Sequence, residues 1–351
     1  MMVRILFLPS STESLLIKRL LAYSALAMSS VVAAPASAQQ TILNTSYDIA
    51  RELFTDINPR FKADWKAKTG EDVNIEQSFA GTSRQAQSII QGLKADIVTF
   101  NQVTDVDAIA QRGLLSRDWQ SKFGNNSSPY FSTIAFLVRK GNPKNIKTWD
   151  DLVRDDVKVV FPNPKTSGNA RYTYLGAWLY ASEKFKGDEA QVKAFVGKLL
   201  KNVESFPTGG RGATVAFAQN NQGDAVLTFE SEVNNISRSE EFKSHAFEVV
   251  VPPVSVLAEF PVAVVDKVVD EKGTRKVAEG YLNYLYEPKT QDLLGSYYYR
   301  VHDKDAVKKY ADRLPEIKLI NPQTELGSWD EIQKKHFASG GILDQLLAAG
   351  R

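Results

Sequence analysis

Cysteine is missing from all 351 residues of the chain, and histidine occurs only three times. Without a thiol there is no disulfide, thiolate metal site, cysteine nucleophile or lipid-modified cysteine. His245, His302 and His336 lie far apart in polar, helical or loop contexts, so they offer no paired zinc ligands and read as structural or solvated. Past residue 38 no segment approaches the roughly eighteen uninterrupted apolar residues of a membrane span. An excess of either charge is lacking too. Removing Arg4, Lys18, Arg19 and Glu13 with the first 38 residues from 43 basic and 41 acidic residues leaves 40 of each, which excludes a strongly basic nucleic-acid surface.

The first 38 residues stand apart. Lys18 and Arg19 precede a largely apolar run from Leu20 to Pro35, and Ala36, Ser37 and Ala38 follow as a small-residue cleavage site. The run is too short and too rich in Ser and Ala for an anchor, so it reads as a secretory signal peptide cut after Ala38. Export without a lipid-bearing cysteine predicts a free periplasmic protein, expected to act as a monomer.

What remains exceeds the usual size of one hydrophobic core. TILNTSY, VNIEQS and ADIVTFN read as strands, each followed by a helical pattern, and Leu53, Phe54, Ile57, Phe61 and Trp65 recur at helical spacing up to Gly70. This βαβαβα order predicts a parallel sheet flanked by helices, a first lobe over residues 39–130. STIAFLVRKGNP then leaves it as a long strand. VKVVF, a helix to about Phe185, VESF and AVLTF build a second α/β lobe over 131–250. Residues 251–351 are expected to return to the first lobe as two extended segments around Pro252 and Pro253, then helices, with a tail helix over about 328–347.

Three strand-to-helix turns share one character: FAGTSR (79–84), NPKTSGNAR (163–171) and TGGRGAT (208–214). Each gathers unpaired backbone N–H groups at the positive end of a helix dipole, and strand carboxyl ends are where open α/β sheets bind ligands. If two lobes face one another, the turns converge on one anion cleft. The competing reading is ordinary helix capping by Thr82, Ser83, Ser167 and Thr208. TGGRGAT lacks the Gly-Lys-Ser/Thr ending of a nucleotide-binding loop. No GxSxG elbow supports a serine hydrolase, and the DVD triplet at 105–107 reads as a helix-start cluster. An enzyme acting on a sulfate or phosphate ester, with these donors as an oxyanion site, is the alternative of another class.

NPKTSGNAR resembles the NPK(S/T)SGxAR signature of the periplasmic sulfate-binding proteins of ABC importers, a family that includes thiosulfate binders. KAKTGEDVNIEQS, Lys66 to Ser78, resembles a second signature, with Glu71 where Asp or Gln is usual. NTSYD, DVDAIAQRG, PYFSTIAFLVRKGNP, LAEFPVAVVDKVV and YLNYLY extend the likeness over nearly all of 41–347. The resemblance implies a two-lobe, type II periplasmic binding protein fold, each lobe a mostly parallel sheet flanked by helices, closing on one desolvated sulfate without a cofactor or metal. It implies a solute-binding subunit that delivers sulfate, or thiosulfate by preference in the alternative reading, to an inner-membrane permease and its ATPase.

Carried over by position, the backbone donors would be Asp48, Thr82, Gly168, Asn169 and Gly210, with Ser167 giving a hydroxyl and Arg171 and Asp48 orienting the peptide groups. Asn169 replaces a common Gly and Thr82 a common Ser, and both keep the backbone donor. Phe229 stands where the family has Trp and has no donor. Losing that hydrogen bond would cost roughly 1.5–3 kcal/mol uncompensated, so weaker sulfate binding or relaxed selectivity is expected.

Overall fold

The computed structural model describes residues 39–350, so the expected signal peptide lies outside the described residues. Along the chain run β1 (Gln40–Ser46), α1 (Arg51–Thr69), β2 (Val73–Phe79), α2 (Thr82–Ile90), β3 (Ile97–Thr99) and α3 (Val103–Gln111). Then come β4 (Ile134–Val138), β5 (Val159–Val160), α4 (Gly168–Lys184), α5 (Glu189–Lys201) and β6 (Val203–Ser205). They are followed by α6 (Gly210–Thr214), β7 (Ala225–Phe229), α7 (Glu230–Arg238), β8 (Glu248–Val250) and β9 (Val262–Val264).

α1 buries Leu53, Phe54, Ile57, Phe61 and Trp65 on one face and stops at Gly70, whose φ of +76° lets its N–H return to the Lys66 carbonyl. The face it covers belongs to a sheet ordered β9–β3–β1–β2, in which β1 is parallel to β2 and β3 and only β9 runs antiparallel. A second sheet is ordered β6–β5–β7–β4–β8. Its β5, β6 and β7 are parallel, and β4 is antiparallel to β7 and β8, with Ile134 opposite Phe229 and Ala135 opposite Thr228. One buried apolar cluster includes side chains from both sheets, among them Ile42, Val98, Phe136 and Val159, and takes in Phe260 from outside them.

Two expectations need correction. The return segment, expected as two extended segments around Pro252 and Pro253, is extended on both sides of them but more broken after them: it divides into Val254–Val256, Ala258–Phe260 and β9, which pair with three different neighbours. The tail is not one helix either, since the helical turns Trp329–Phe337 and the helix Ile342–Ala349 are separated at Gly340, whose φ is +75°. Among the described residues no helix is long and apolar enough to cross a membrane.

Candidate functional site

Four strand carboxyl ends point their following turns at one place. β1 runs into Tyr47 and Asp48, and β2 runs through Gly81 into α2. From the other sheet, β5 leads through 163–167 into α4, and β6 leads through 207–209 into α6. The latter two turns are tied together: Asn163 N–H donates to the Pro207 carbonyl at 2.7 Å and the Thr166 hydroxyl to the Thr208 carbonyl at 2.8 Å.

The turns of the two sheets touch. A β-carbon on Gly168 would lie 2.5 Å from Asn101 Oδ1 and from Gln102 Cβ, and 3.0 Å from Thr82 Oγ1. One on Gly209 would lie 2.5 Å from Asp48 Oδ2. Glycine at these positions is therefore a matter of room, not of unusual backbone angles. Beside it, Arg211 N–H donates to Asp48 Oδ2 at 3.1 Å, a hydrogen bond that bridges the sheets. Burial raises the Asp48 pKa, and the Arg211 N–H opposes that rise. A cleft of ≈ 890 Å³, lined by Asp48, Gly81, Thr104, Thr166, Thr208 and Arg211 among others, lies over the buried Thr82, Ser167, Gly168 and Asn169.

The helices that start here are not capped by side chains. α2, α4 and α6 have Gly81, Ser167 and Gly209 as N-caps, and none makes a side-chain capping hydrogen bond. This removes the capping reading of Thr82, Ser83, Ser167 and Thr208. Thr82 Oγ1 and Ser83 Oγ donate instead to Asp105 at 2.6 and 3.0 Å. Among the described residues the N–H groups of Asp48, Thr82, Gly168, Asn169 and Gly210 find no protein acceptor, and neither does the Ser167 hydroxyl. Buried amides are almost always paired, so these five donors form a candidate anion cradle.

Arg171 is close but already engaged. Its Nη1 donates to Thr104 Oγ1 at 2.7 Å and pairs with Asp105 Oδ1 at 3.1 Å, and its Nε donates to the Pro164 carbonyl at 3.2 Å. The side chains of Arg171 and Asp105 are only 10% and 5% exposed, and they belong to α4 and α3, on opposite sides of the cleft. The guanidinium thus holds the cradle together and stiffens the carbonyl side of its own turn. Asp105 keeps the helix-start reading of DVD and adds a role to it. It does sit in the first turn of α3, but it is buried and collects Arg171, Thr82 and Ser83. A carboxylate among Val103, Val106 and Ile109, facing the buried side of an amphipathic helix, is the signal in the sequence that could have found it.

Phe229 is fully buried at the end of β7, its ring centroid 4.9 Å from that of Phe260 and 6.2 Å from that of Tyr172. Phe260 in turn meets Tyr47, Tyr130 and Tyr299, so an aromatic stack backs the cradle next to Asp48. Behind α6, Glu232 accepts from Thr214 Oγ1 at 3.0 Å, and burial, reinforced by the Asp48 charge, pushes its pKa up to about 8. The folded protein then holds that proton up to about pH 8, whereas an unfolded chain releases it near the ordinary 4.5. Its stabilising contribution is complete below about pH 4.5 and is lost as pH rises towards 8, an effect on the order of a few kcal/mol. Glu232→Gln keeps the Thr214 contact without the titration, so melting temperatures between pH 5 and 8.5 should decline less steeply than in the parent. Equal slopes would disprove the assignment.

The model of the bacterial extracellular solute-binding proteins matches residues 47–300. The chain is 54% identical to a thiosulfate-binding protein of Escherichia coli, over 88% of this chain and 92% of the relative. It is 47% identical to a sulfate-binding protein of the same organism, over 87% of this chain and 92% of that one. Among solved structures, the sulfate-binding protein SubI of Mycobacterium tuberculosis superposes with a TM-score of 0.75 at 27% identity, covering 85% of this chain and all of SubI. A periplasmic thiamin-binding protein superposes with a TM-score of 0.55 at 19% identity and shows the fold alone.

Proposed function

This chain belongs to the bacterial extracellular solute-binding protein family, with the type II periplasmic binding protein fold, and we propose that it captures sulfate or thiosulfate in the periplasm for an ABC permease and its ATPase. The observation that carries this reading is the set of unpaired N–H groups contributed from both sides of the cleft, with the buried Arg171 already engaged by Thr104, Asp105 and the Pro164 carbonyl. Relatives named for thiosulfate and sulfate at 54% and 47% identity point to the same ligand class and to a binding subunit, not an enzyme.

The chemistry fits a fully ionised dianion. Sulfate and thiosulfate carry no proton at neutral pH, so a site built of donors leaves nothing unmatched. Hydrogen phosphate would bury a proton with no acceptor, a mismatch that discriminates by orders of magnitude. Spreading the ligand's charge over peptide dipoles also spares the empty protein an unpaired buried cation. Closure follows as a hinge motion, because Asp48 and Thr82 on one side and Gly168, Asn169 and Gly210 on the other reach the anion together only when the turns meet.

The test is thermal unfolding with sulfate, thiosulfate, phosphate and molybdate in parallel. A ligand at a thousandfold excess over its dissociation constant adds ~4 kcal/mol to the folded state, a rise on the order of 10 °C for a chain of this size. Sulfate, thiosulfate or both should produce it, with phosphate inert. No rise with either sulfur oxyanion refutes the function.

A further inference from the structure

Asn169 does more in this cradle than lend its backbone. It is the second residue of α4, its side chain is 1% exposed, and its Nδ2 lies 2.6 Å from Thr228 Oγ1. The same nitrogen is 3.4 Å from where a β-carbon on Gly210 would sit, a point 3.7 Å from Asp48 Oδ1. The carboxamide is therefore inside the ring formed by Asp48, Asn169 and Gly210.

With Nδ2 facing Thr228, two buried groups go unmet. Asn169 Oδ1 has no hydrogen-bond partner, and the Thr228 hydroxyl, also 1% exposed, has no acceptor among the described residues. Turning the amide end for end removes both deficits: Thr228 Oγ1–H donates to Oδ1, and Nδ2 is released with its hydrogens where Oδ1 had been. That orientation leaves a neutral donor buried and unspent on the end of the carboxamide turned away from Thr228. On the same stretch of β7, Phe229 supplies only an apolar ring.

We propose that the Asn169 carboxamide is itself a hydrogen-bond donor to the bound oxyanion, that Thr228 is the positioning residue fixing its donor end towards the ligand, and that this pair sets which oxyanion is held. The proposal rests on the sulfur-oxyanion reading above and deepens it. With the donor end inward the site rejects a protonated oxyanion. With the acceptor end inward it would accept one. Thr228 therefore matters for selectivity more than for stability.

Titration calorimetry on the full chain with sulfate, thiosulfate and inorganic phosphate decides it, using N169A, T228V and T228S. N169A is expected to weaken sulfur-oxyanion binding about tenfold to a hundredfold, the loss of a hydrogen bond to a charged group. T228V, which leaves the amide free to turn, should narrow the gap between the sulfur oxyanions and phosphate at least threefold, while T228S stays near the parent. Should N169A melt well below the parent without ligand, T228V carries the comparison with the amide intact. Parent-like affinity in N169A, or parent-like selectivity in T228V, overturns the proposal. A parent that binds neither sulfur oxyanion overturns the functional reading beneath it instead.

Discussion

Gly168→Ala is expected to remove tight anion binding while leaving the unliganded protein folded. The added methyl would lie 2.5 Å from Asn101 Oδ1 and Gln102 Cβ and 3.0 Å from Thr82 Oγ1, distances that require something to move. None of those atoms can move alone. Asn101 Oδ1 lies 3.0 Å from the Thr82 hydroxyl oxygen, whose proton goes to Asp105, and Gln102 is the N-cap of α3, its side chain accepting from Thr104 N–H. Relief must come from holding α4 away from α2 and α3, which are the two sides of the cleft. Overpacking costs about 1–3 kcal/mol by itself. Each N–H kept from a charged ligand adds roughly 1.5–3 kcal/mol. Affinity should fall a hundredfold or more in calorimetry, and scattering should show that saturating sulfate or thiosulfate no longer compacts the protein. The melting temperature without ligand should stay within about two degrees of the parent, because on the hinge motion proposed above the unliganded protein relieves the contact by opening. Parent-like affinity in Gly168→Ala would mean that the close approach around Gly168 is not part of the bound state.

The same residue shows how far the sequence could be read. NPKTSGNAR is a local object: an apolar strand, a turn with two prolines, and a helix start are set by neighbours in the chain, and β5, the turn and α4 lie where that pattern puts them. Local patterning also located α2 and α6 and hence the three helix starts. What it could not decide was whether Thr82, Ser83, Ser167 and Thr208 cap their own helices, since capping and anion binding use the same residues. The helix starts at Gly81, Ser167 and Gly209, which make no side-chain capping bond, and the contacts of Thr82 and Ser83 with Asp105, twenty-odd residues on, answer it for capping. Asp105 was legible as a carboxylate on the buried side of an amphipathic helix, but its pairing with Arg171 was not, because the two are 66 residues apart and local patterning does not report pairing at that distance. The return segment failed for a related reason. Val254–Val264 is mostly apolar, interrupted only by Ser255, Glu259 and Pro261, so alternation could not tell where one short strand hands over to the next, and that was decided by partners from three separate regions.

Arg171→Ala is the other substitution with a large expected effect, and it separates two roles that an arginine in an anion site can play. Its guanidinium pairs with Asp105 across the cleft, both side chains nearly buried, so truncation strands a carboxylate held only by the Thr82 and Ser83 hydroxyls. Removing one partner of a buried pair costs about 3–5 kcal/mol. Because the pair spans the cleft, the penalty falls on the closed, liganded form, where Asp105 cannot be rehydrated. Affinity should therefore drop by a factor of ~10²–10³, with little dependence on salt, since a buried pair is weakly screened. Arg171→Lys should recover only a fraction, because one ammonium cannot serve Thr104, Asp105 and the Pro164 carbonyl in the same fork. The decisive variant is Arg171→Ala combined with Asp105→Asn. It removes the stranded charge and keeps an acceptor for Thr82 and Ser83, so much of the lost affinity should return. If Arg171 instead touched the anion directly, neutralising Asp105 would recover nothing, and the double variant would bind no better than Arg171→Ala alone.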